Sequence, residues 1–484
     1  MNRGTFPPLV VGELRRHARW PLALLAPALL TAATWASIRS GERDLVRQQA
    51  LYEVELQGRL TAQLRGGGTL WGRIPEPGLR VVRPPNPGAV LVVGLDPEIP
   101  SAWDFTPRGS ESLPPYPHDL KRPRGGIIWD LEALVRVPAG LLAVLIGVAG
   151  LSGDRARGWL EALRTLPIPP WHVSLARLTG VSFAVLWIVL AWWTGVSLVG
   201  SPARVGGQFS KLAGPSAAYL LLLCACGLAC GWLIKSRVRA FGAALAVWGA
   251  IGVVLPTGVP ALLELLSPVG DEAAFERARR ERYSDAMRAL ELRIGGALAP
   301  HLPATHVLAA DLSEPAERAF GLVEDEWKQG LIEARMMARD FDMDWTARRT
   351  RRESHLKLNT LAVPGVLFGD VMSGLAGTGR AWADSWREAI AHRQAYLNAV
   401  LFDDRPAASV RVTIRGQPNS FVLRRRPDVR ISDLSSFEPG PTNDTGGAAV
   451  SSMIAGLLWL VSAMAAAQGA GVFAIRTGRT ERVD

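Results

Sequence analysis

The chain has 484 residues, 48% of them hydrophobic, with a formal net charge of +10 and a mean hydropathy of +0.14. Such apolar content excludes a disordered or acidic solvating chain and points to a polytopic membrane protein, provided the apolar residues cluster into spans. They do cluster, and the positive charge needs no nucleic-acid partner, because basic loops beside membrane spans account for it.

A hydrocarbon core about 30 Å thick needs roughly 20 apolar residues in a helix. The segment "FPPLVVGELRRHAR" reads as an amphipathic lead into a first span, Trp20 to Ile38, bounded by Arg19 and Arg39. Five more runs qualify: Leu134 to Leu151, Leu178 to Gly200, Pro215 to Ile234, Ala240 to Leu266, and Ala449 to Ile475. The internal prolines Pro21, Pro27 and Pro138 are tolerated where neighbouring helices satisfy the freed backbone groups. A cleaved signal peptide is the rival reading of the first run. Its apolar region is long for that role, and a retained anchor keeps all the basic ends on one side.

The expected fold is therefore a polytopic α-helical membrane protein with six transmembrane helices and two extracytoplasmic insertions. Residues 1–38 hold the amphipathic segment and the first span, and 39–133 the first insertion. Spans two to five occupy 134–266, with a cytoplasmic link at 153–166. The second insertion covers 267–448, the sixth span 449–475 and the tail 476–484. Orientation follows from short-loop charge. Arg3, Arg15, Arg16 and Arg19, the link residues Arg155, Arg157 and Arg164, the "KSRVR" turn, and Arg476, Arg479 and Arg482 all fall on one side. That side is expected to be the cytoplasm, with both termini in it, and the expected location is the inner membrane of a bacterial cell.

The first insertion reads as mixed α/β. "LRVVRPP" and "AVLVVGLD" are strand-like runs, and Ile99 to Gly126 reads as Pro-rich and irregular. The second insertion reads as mainly helical. Asp271 caps a helix expected to stop at Gly295-Gly296, and Ser313 caps another, with Pro315 in its first turn. Along the latter, Phe320, Val323, Trp327, Leu331 and Ala334 recur at helical spacing. Trp382, Trp386, Ile390 and Leu397 form a further stripe, better explained by helix packing than by an aromatic ligand groove. "SVRVTIR" alternates as a half-buried strand does, and "RRRPDVR" reads as a solvated turn.

Chemistry-bearing motifs are missing from the sequence. There is no phosphate loop, zinc-binding helix pair or nucleophile elbow, so no catalytic residue is assigned. His118, His301, His306, His355 and His392 lack ligand spacing, and no metal site is expected. Cys224, Cys226 and Cys230 lie in the fourth span, where Cys226 and Cys230 share a face. A metal pair and small residues at a helix contact both fit that spacing, and the contact is the simpler reading. Carboxylates are scarce in the spans, which argues against a proton-coupled carrier. Any uphill movement then draws on a partner's energy. Trp187, Trp192, Trp193 and Trp248 stand out among aliphatic residues in spans three and five. Trp192 and Trp193 fit an aromatic belt at the outer interface, while Trp187 and Trp248 are candidates for a translocation path suited to an amphiphile.

The link between spans two and three is unusually rich. In "LSGDRARGWLEALRTLPIPPWHVSLARLTG", Trp159, Leu160, Leu163 and Leu166 form an apolar stripe, and Arg155, Arg157, Glu161 and Arg164 are polar. Gly153 frees the entry, and "PIPP" stops the helix sharply. This stretch resembles the signature of type-2 ABC transporter permeases, through Ser152, Gly153, Arg155, Gly158, Leu160 and Pro167, with Asp154 for the usual Glu and Trp159 for the usual Thr. "SGLAGTGRAWADSWREAIAHRQAYLNAV" is similar to a branch of that family with a large extracytoplasmic insertion, with Gly379 where Asp is usual. The resemblance implies a membrane subunit paired with a second permease copy, as a homo- or heterodimer, and with two cytoplasmic ABC ATPase subunits. Those subunits bind ATP and Mg, and this chain needs no cofactor. Gly153, Asp154, Arg155, Arg157, Gly158, Trp159, Leu160, Glu161, Leu163, Arg164 and Leu166 would form the ATPase-coupling helix. Membrane lipids and an extracytoplasmic protein are the further expected partners. Three functions remain open: export of an amphiphile, ATP-driven force transmission to an outer partner without cargo, and a passive membrane scaffold.

Overall fold

The computed structural model describes residues 11–12, 22–65, 79–106, 109–112, 129–156, 168–200, 206–266, 272–298, 363–398, 409–413, 420–424 and 446–480, with scattered residues between 329 and 355. In chain order the elements are α1 (Leu22–Arg65), β1 (Leu79–Val82), β2 (Ala102–Thr106) and β3 (Gly109–Ser112). Next comes α2, helical over Leu131–Leu134 and Gly140–Ala156 with a π-helical turn, Val135–Ala139, between them. α3 (Pro170–Gly200) and α4 (Gly206–Leu233) follow. α5 runs Arg237–Gly249 and Leu255–Leu266 around a second π turn, Ala250–Val254. Then come α6 (Glu272–Leu298), α7 (Pro364–Ala376), α8 (Arg380–Asn398), β4 (Ser409–Thr413), β5 (Ser420–Arg424) and α9 (Gly446–Thr480).

The described chain is mostly helical, and five helices are long and apolar enough to cross a membrane. They are Leu131–Ala149, Pro170–Leu198, Phe209–Leu233, Arg237–Val259 and Ile454–Ala474. Their composition and number are those of a multi-pass helical membrane protein. The sixth expected span, Trp20 to Ile38, is not among them. Its residues from Leu22 onward open α1, a continuous 44-residue helix. At 1.5 Å per residue that helix is about 66 Å long, roughly twice a hydrocarbon core.

α4 is the hub of the bundle, packed against α2, α3, α5, α7 and α9. Small residues make this possible, since van der Waals packing drives helix association in lipid. A Cβ on Gly147 of α2 would strike the Cys224 carbonyl, and one on Gly227 of α4 would strike the Val144 carbonyl. Cys224 is buried in this seam and behaves there as a small apolar residue. At the far end of the bundle, Gly471 of α9 sits against Ser174 of α3 and Trp232 of α4. Ser174 Oγ donates to Gln468 Oε1 at 2.9 Å. The "KSRVR" turn between α4 and α5 follows directly at this end.

The opposite end carries the three-stranded antiparallel sheet, ordered β1-β2-β3, with Val81 opposite Trp103 and Trp103 opposite Ser112. α8 covers it. Trp386 stacks on Trp103 with centroids 5.8 Å apart, and Trp382 lies under the Arg83 guanidinium at 5.1 Å. Trp382, Trp386 and Ile390 are all buried, so the aromatic stripe is a packing surface. The second part of α1 runs beside this region and packs on β1 and the turn Pro87–Val90, burying Asp44, Leu45 and Gln48.

Three local expectations are corrected. "AVLVVGLD" is not a strand: it begins in a 3-10 turn, Pro87–Val90, whose Gly88 amide donates to Asn86 Oδ1 at 2.9 Å. Val90, Leu91, Val92 and Val93 are nearly inaccessible, so the β-branched valines serve full burial and not strand pairing. The stretch expected to be irregular contains β2 and β3. The helix expected to stop at Gly295-Gly296 continues to Leu298. "SVRVTIR" does open a strand, β4, which pairs with β5. The helix expected after Ser313 lies outside the described residues, as does most of "RRRPDVR".

Candidate functional site at two facing π turns

Proline places both π turns. Pro138 and Pro256 lack an N–H, so the carbonyls four residues earlier lose their helical partner and the helix widens locally. The two widened turns pack against each other. A Cβ on Gly252 would lie 3.3 Å from the Arg136 carbonyl and 3.4 Å from Trp248 Nε1. Helical irregularities of this kind occur frequently at functional sites.

Charge sits at this point. Arg136 Nη1 donates to Glu132 Oε1 at 2.8 Å, one turn apart on α2, with side chains 23% and 16% exposed. An ion pair inside a stretch apolar enough to cross a membrane is expensive and is a functional-site candidate by default. Asp130, just before it, caps α2 by accepting from the Ala133 amide at 2.9 Å and also accepts from the Val93 amide at 2.9 Å. Around the pair, three buried polar atoms have no hydrogen-bond partner among the described residues: Arg136 Nε, Trp248 Nε1 and the Tyr219 hydroxyl. Glu132 and Arg136 lie within electrostatic reach of Tyr219.

α7 closes the site. A Cβ on Gly365 would strike the Ile251 carbonyl in the second π turn, and one on Gly369 would lie 2.8 Å from Glu132 Oε1. These two glycines, four apart, present one face of α7 to the second π turn and to Glu132 just before the first, the small-x-x-x-small pattern of close helix packing. α7 then ends at Gly377, in the left-handed conformation at φ 73°, which glycine adopts without strain. The corner that follows is tied to the sheet region. Asn86 Nδ2 donates to the Gly377 carbonyl at 2.7 Å, Thr378 Oγ1 to the Val92 carbonyl at 3.0 Å, and the Leu95 amide to the Thr378 carbonyl at 2.9 Å. One short helix thus joins the charged turn of the bundle to the sheet.

The sequence-assigned residues fall out unevenly. Gly153, Asp154 and Arg155 lie in the last turns of α2. Arg157, Gly158, Trp159, Leu160, Glu161, Leu163, Arg164 and Leu166 lie outside the described residues. Trp248 belongs to the π-turn site, whereas Trp187 is 48% exposed on the flank of α3. Trp192 and Trp193 are not an exposed belt. Trp192 is fully buried and donates from Nε1 to Thr34 Oγ1 at 2.9 Å, and Trp193 stacks on Phe209 at 5.0 Å. Glu132, Tyr219 and α7 were missed by sequence reasoning. Glu132 was placed in the insertion, although its spacing to Arg136 and the Gly365–Gly369 pattern were both readable. Among the described residues no group of three or more His, Cys, Asp or Glu is placed to hold a metal ion. Comparison with protein-family models, curated proteins and solved structures finds no match for the chain.

Proposed function

We propose that this chain is the membrane subunit of an ATP-driven transporter of the type-2 ABC permease kind. The observation that carries the reading is the segregation of two motifs to opposite ends of one bundle. The described part of "SGDRARG", residues 152–156, closes α2 at the basic end of the bundle, and "SGLAGTGR" forms the α7–α8 corner at the other. By short-loop charge the basic end is cytoplasmic, so the segment 153–166 is offered to an ATPase while the sheet, α6, α7 and α8 lie outside. ATP and Mg belong to that partner. The cargo we infer is amphiphilic, because the described bundle helices are mostly apolar and bury few charged side chains, Arg177 and the Arg136–Glu132 pair among them, a poor route for a bare ion.

A second reading has its own support. α1 runs unbroken from the bundle into the sheet region, and α7 joins the charged turn to the same region, so bundle motion would reach the outer side mechanically. Force transmission to an outer protein without cargo is therefore the alternative. Flux of a labelled amphiphile into sealed vesicles separates the two.

Purification from native membranes tests the first reading. An ATPase subunit should accompany the full chain, and Leu163→Pro, which costs a helix interior about 3 kcal/mol, should insert normally yet lose that subunit. Equal recovery of the ATPase with the variant would overturn the coupling assignment. In a cysteine-free background, a membrane-impermeant maleimide on spheroplasts should label Ser354→Cys but not Thr165→Cys; the reverse pattern would invert the orientation.

A further inference from the structure

Beside the π-turn site, α4, α7 and α9 enclose an apolar cleft of about 230 Å³. Ala218 and Leu222 of α4, Leu367 and Val371 of α7, and Leu457 and Trp459 of α9 line it. Tyr219 and Phe368, stacked at 4.4 Å, form one wall. Leu457 and Trp459 are 53% and 38% exposed, so the cleft opens sideways on the flank of α9. That flank belongs to Ile454–Ala474, one of the helices apolar enough to cross a membrane, and in a bilayer it meets acyl chains. Tyr219 breaks the apolar lining. It is 4% exposed, and its hydroxyl, itself inaccessible, has no hydrogen-bond partner among the described residues, a costly state for a buried donor.

We propose that this cleft seats one acyl chain of a membrane amphiphile whose uncharged, hydrogen-bonding head group reaches the occluded Tyr219 hydroxyl as the Tyr219–Phe368 wall gives way. The volume falls below the roughly 300–1,000 Å³ of pockets that enclose a whole drug-sized molecule, and it fits a single chain. The head group is uncharged because, among the described residues, the cation near Tyr219 is Arg136, already paired with Glu132 at 2.8 Å, so an anionic head finds no free cation there. A chain seated here lies directly against α7, the element that joins the bundle to the sheet. The inference deepens the transporter reading by naming the class of molecule handled, yet chain binding itself needs neither ATPase nor ATP.

The test uses the full chain in phosphatidylcholine nanodiscs without nucleotide, irradiated with a monoacylglycerol bearing a diazirine in its chain. Label should concentrate on peptides containing Leu222, Leu367 or Leu457. Gly456→Leu fills the cleft from α9, where a Cβ would meet only Leu367 at 3.9 Å, and labelling should fall about tenfold or more. Ala218→Phe fills it from α4 and serves if the first variant does not fold. Tyr219→Phe should lower monoacylglycerol labelling about fivefold while leaving a headless diazirine alkane unaffected. Label spread evenly over the exposed flanks, or wild-type labelling in both folded filling variants, would overturn the site. Equal labelling by an anionic fatty-acid probe, or no effect of Tyr219→Phe, would overturn the head-group assignment. Cleft labelling in a protein that captures no ATPase would sink the transporter reading and leave this one standing.

Discussion

Two arginine–carboxylate pairs in this molecule are built to opposite standards. Arg83 and Asp96, in the sheet region, are both fully inaccessible and 2.5 Å apart. Arg83 also donates from Nε to the Pro100 carbonyl at 3.0 Å and from Nη2 to the Ile99 carbonyl at 3.3 Å, and its guanidinium lies over Trp382. Arg136 and Glu132, in the bundle, share one close hydrogen bond amid the partnerless Arg136 Nε, Tyr219 hydroxyl and Trp248 Nε1. A buried pair tolerates desolvation only when its remaining donors are satisfied. The first pair meets that condition and is a structural staple that fixes β1, the turn before β2 and α8. The second does not, and a stability role alone leaves its sparse bonding unexplained; under the proposed transporter reading, a site that changes partners during a working cycle would account for it.

The largest effect should come from breaking the staple. Arg83→Ala strands Asp96 in an apolar interior, which costs about 3–5 kcal/mol, and the full-length protein should melt markedly lower by tryptophan fluorescence. Arg83→Met combined with Asp96→Leu should recover most of that loss, since well-packed apolar replacements of buried pairs are often neutral. If the double variant melts as low as the single, the pair does more than staple.

The bundle pair should behave differently. Glu132→Gln leaves Arg136 without its counter-charge, but both side chains are partly exposed, so the cost should be about 1–2 kcal/mol. Glu132→Gln with Arg136→Gln should restore stability while, on the proposed transporter reading, hydrolysis by the proposed partner ATPase loses its response to an amphiphile. Wild-type stimulation in that folded double variant would reduce the pair to a packing detail and erase the contrast with Arg83–Asp96.

Sequence patterning reached some of these features and stopped short of others for physical reasons. Long apolar runs identify membrane-crossing helices almost by length alone, and the runs around α2, α3, α4, α5 and α9 were all legible. The Trp382–Trp386–Ile390 stripe announced a packed face through its helical spacing. α7 was missed because 13 residues cannot span a bilayer, and a short apolar helix lodged between spans has no length signature. "AVLVVGLD" misled because β-branched residues report burial as readily as strand pairing. The contact of Thr378 with Val92, 286 residues apart, is invisible to any local pattern, so 79–106 and 363–398 read as separate regions although they pack together. At the site, Trp248 was singled out for its type alone, and Glu132, set beyond the expected start of the span, was counted as loop.

The smallest stability effect tests the same contrast most sharply. Trp248→Phe keeps an aromatic ring between Gly140 and Gly252 and removes only the partnerless Nε1 donor. Loss of an unsatisfied buried donor in favour of an apolar group of similar shape is nearly neutral or stabilising, so the melting temperature should stay level or rise by an amount worth up to about 1 kcal/mol. A purely structural site would then be improved with no further consequence. If the facing π turns change their hydrogen bonding during the cycle, the lost donor should instead lower amphiphile-stimulated hydrolysis while basal hydrolysis and ATPase capture stay unchanged. A variant that is both more stable and fully stimulated would show that the unsatisfied groups around Arg136 serve no cycle, and the bundle pair would join Arg83–Asp96 as scaffolding.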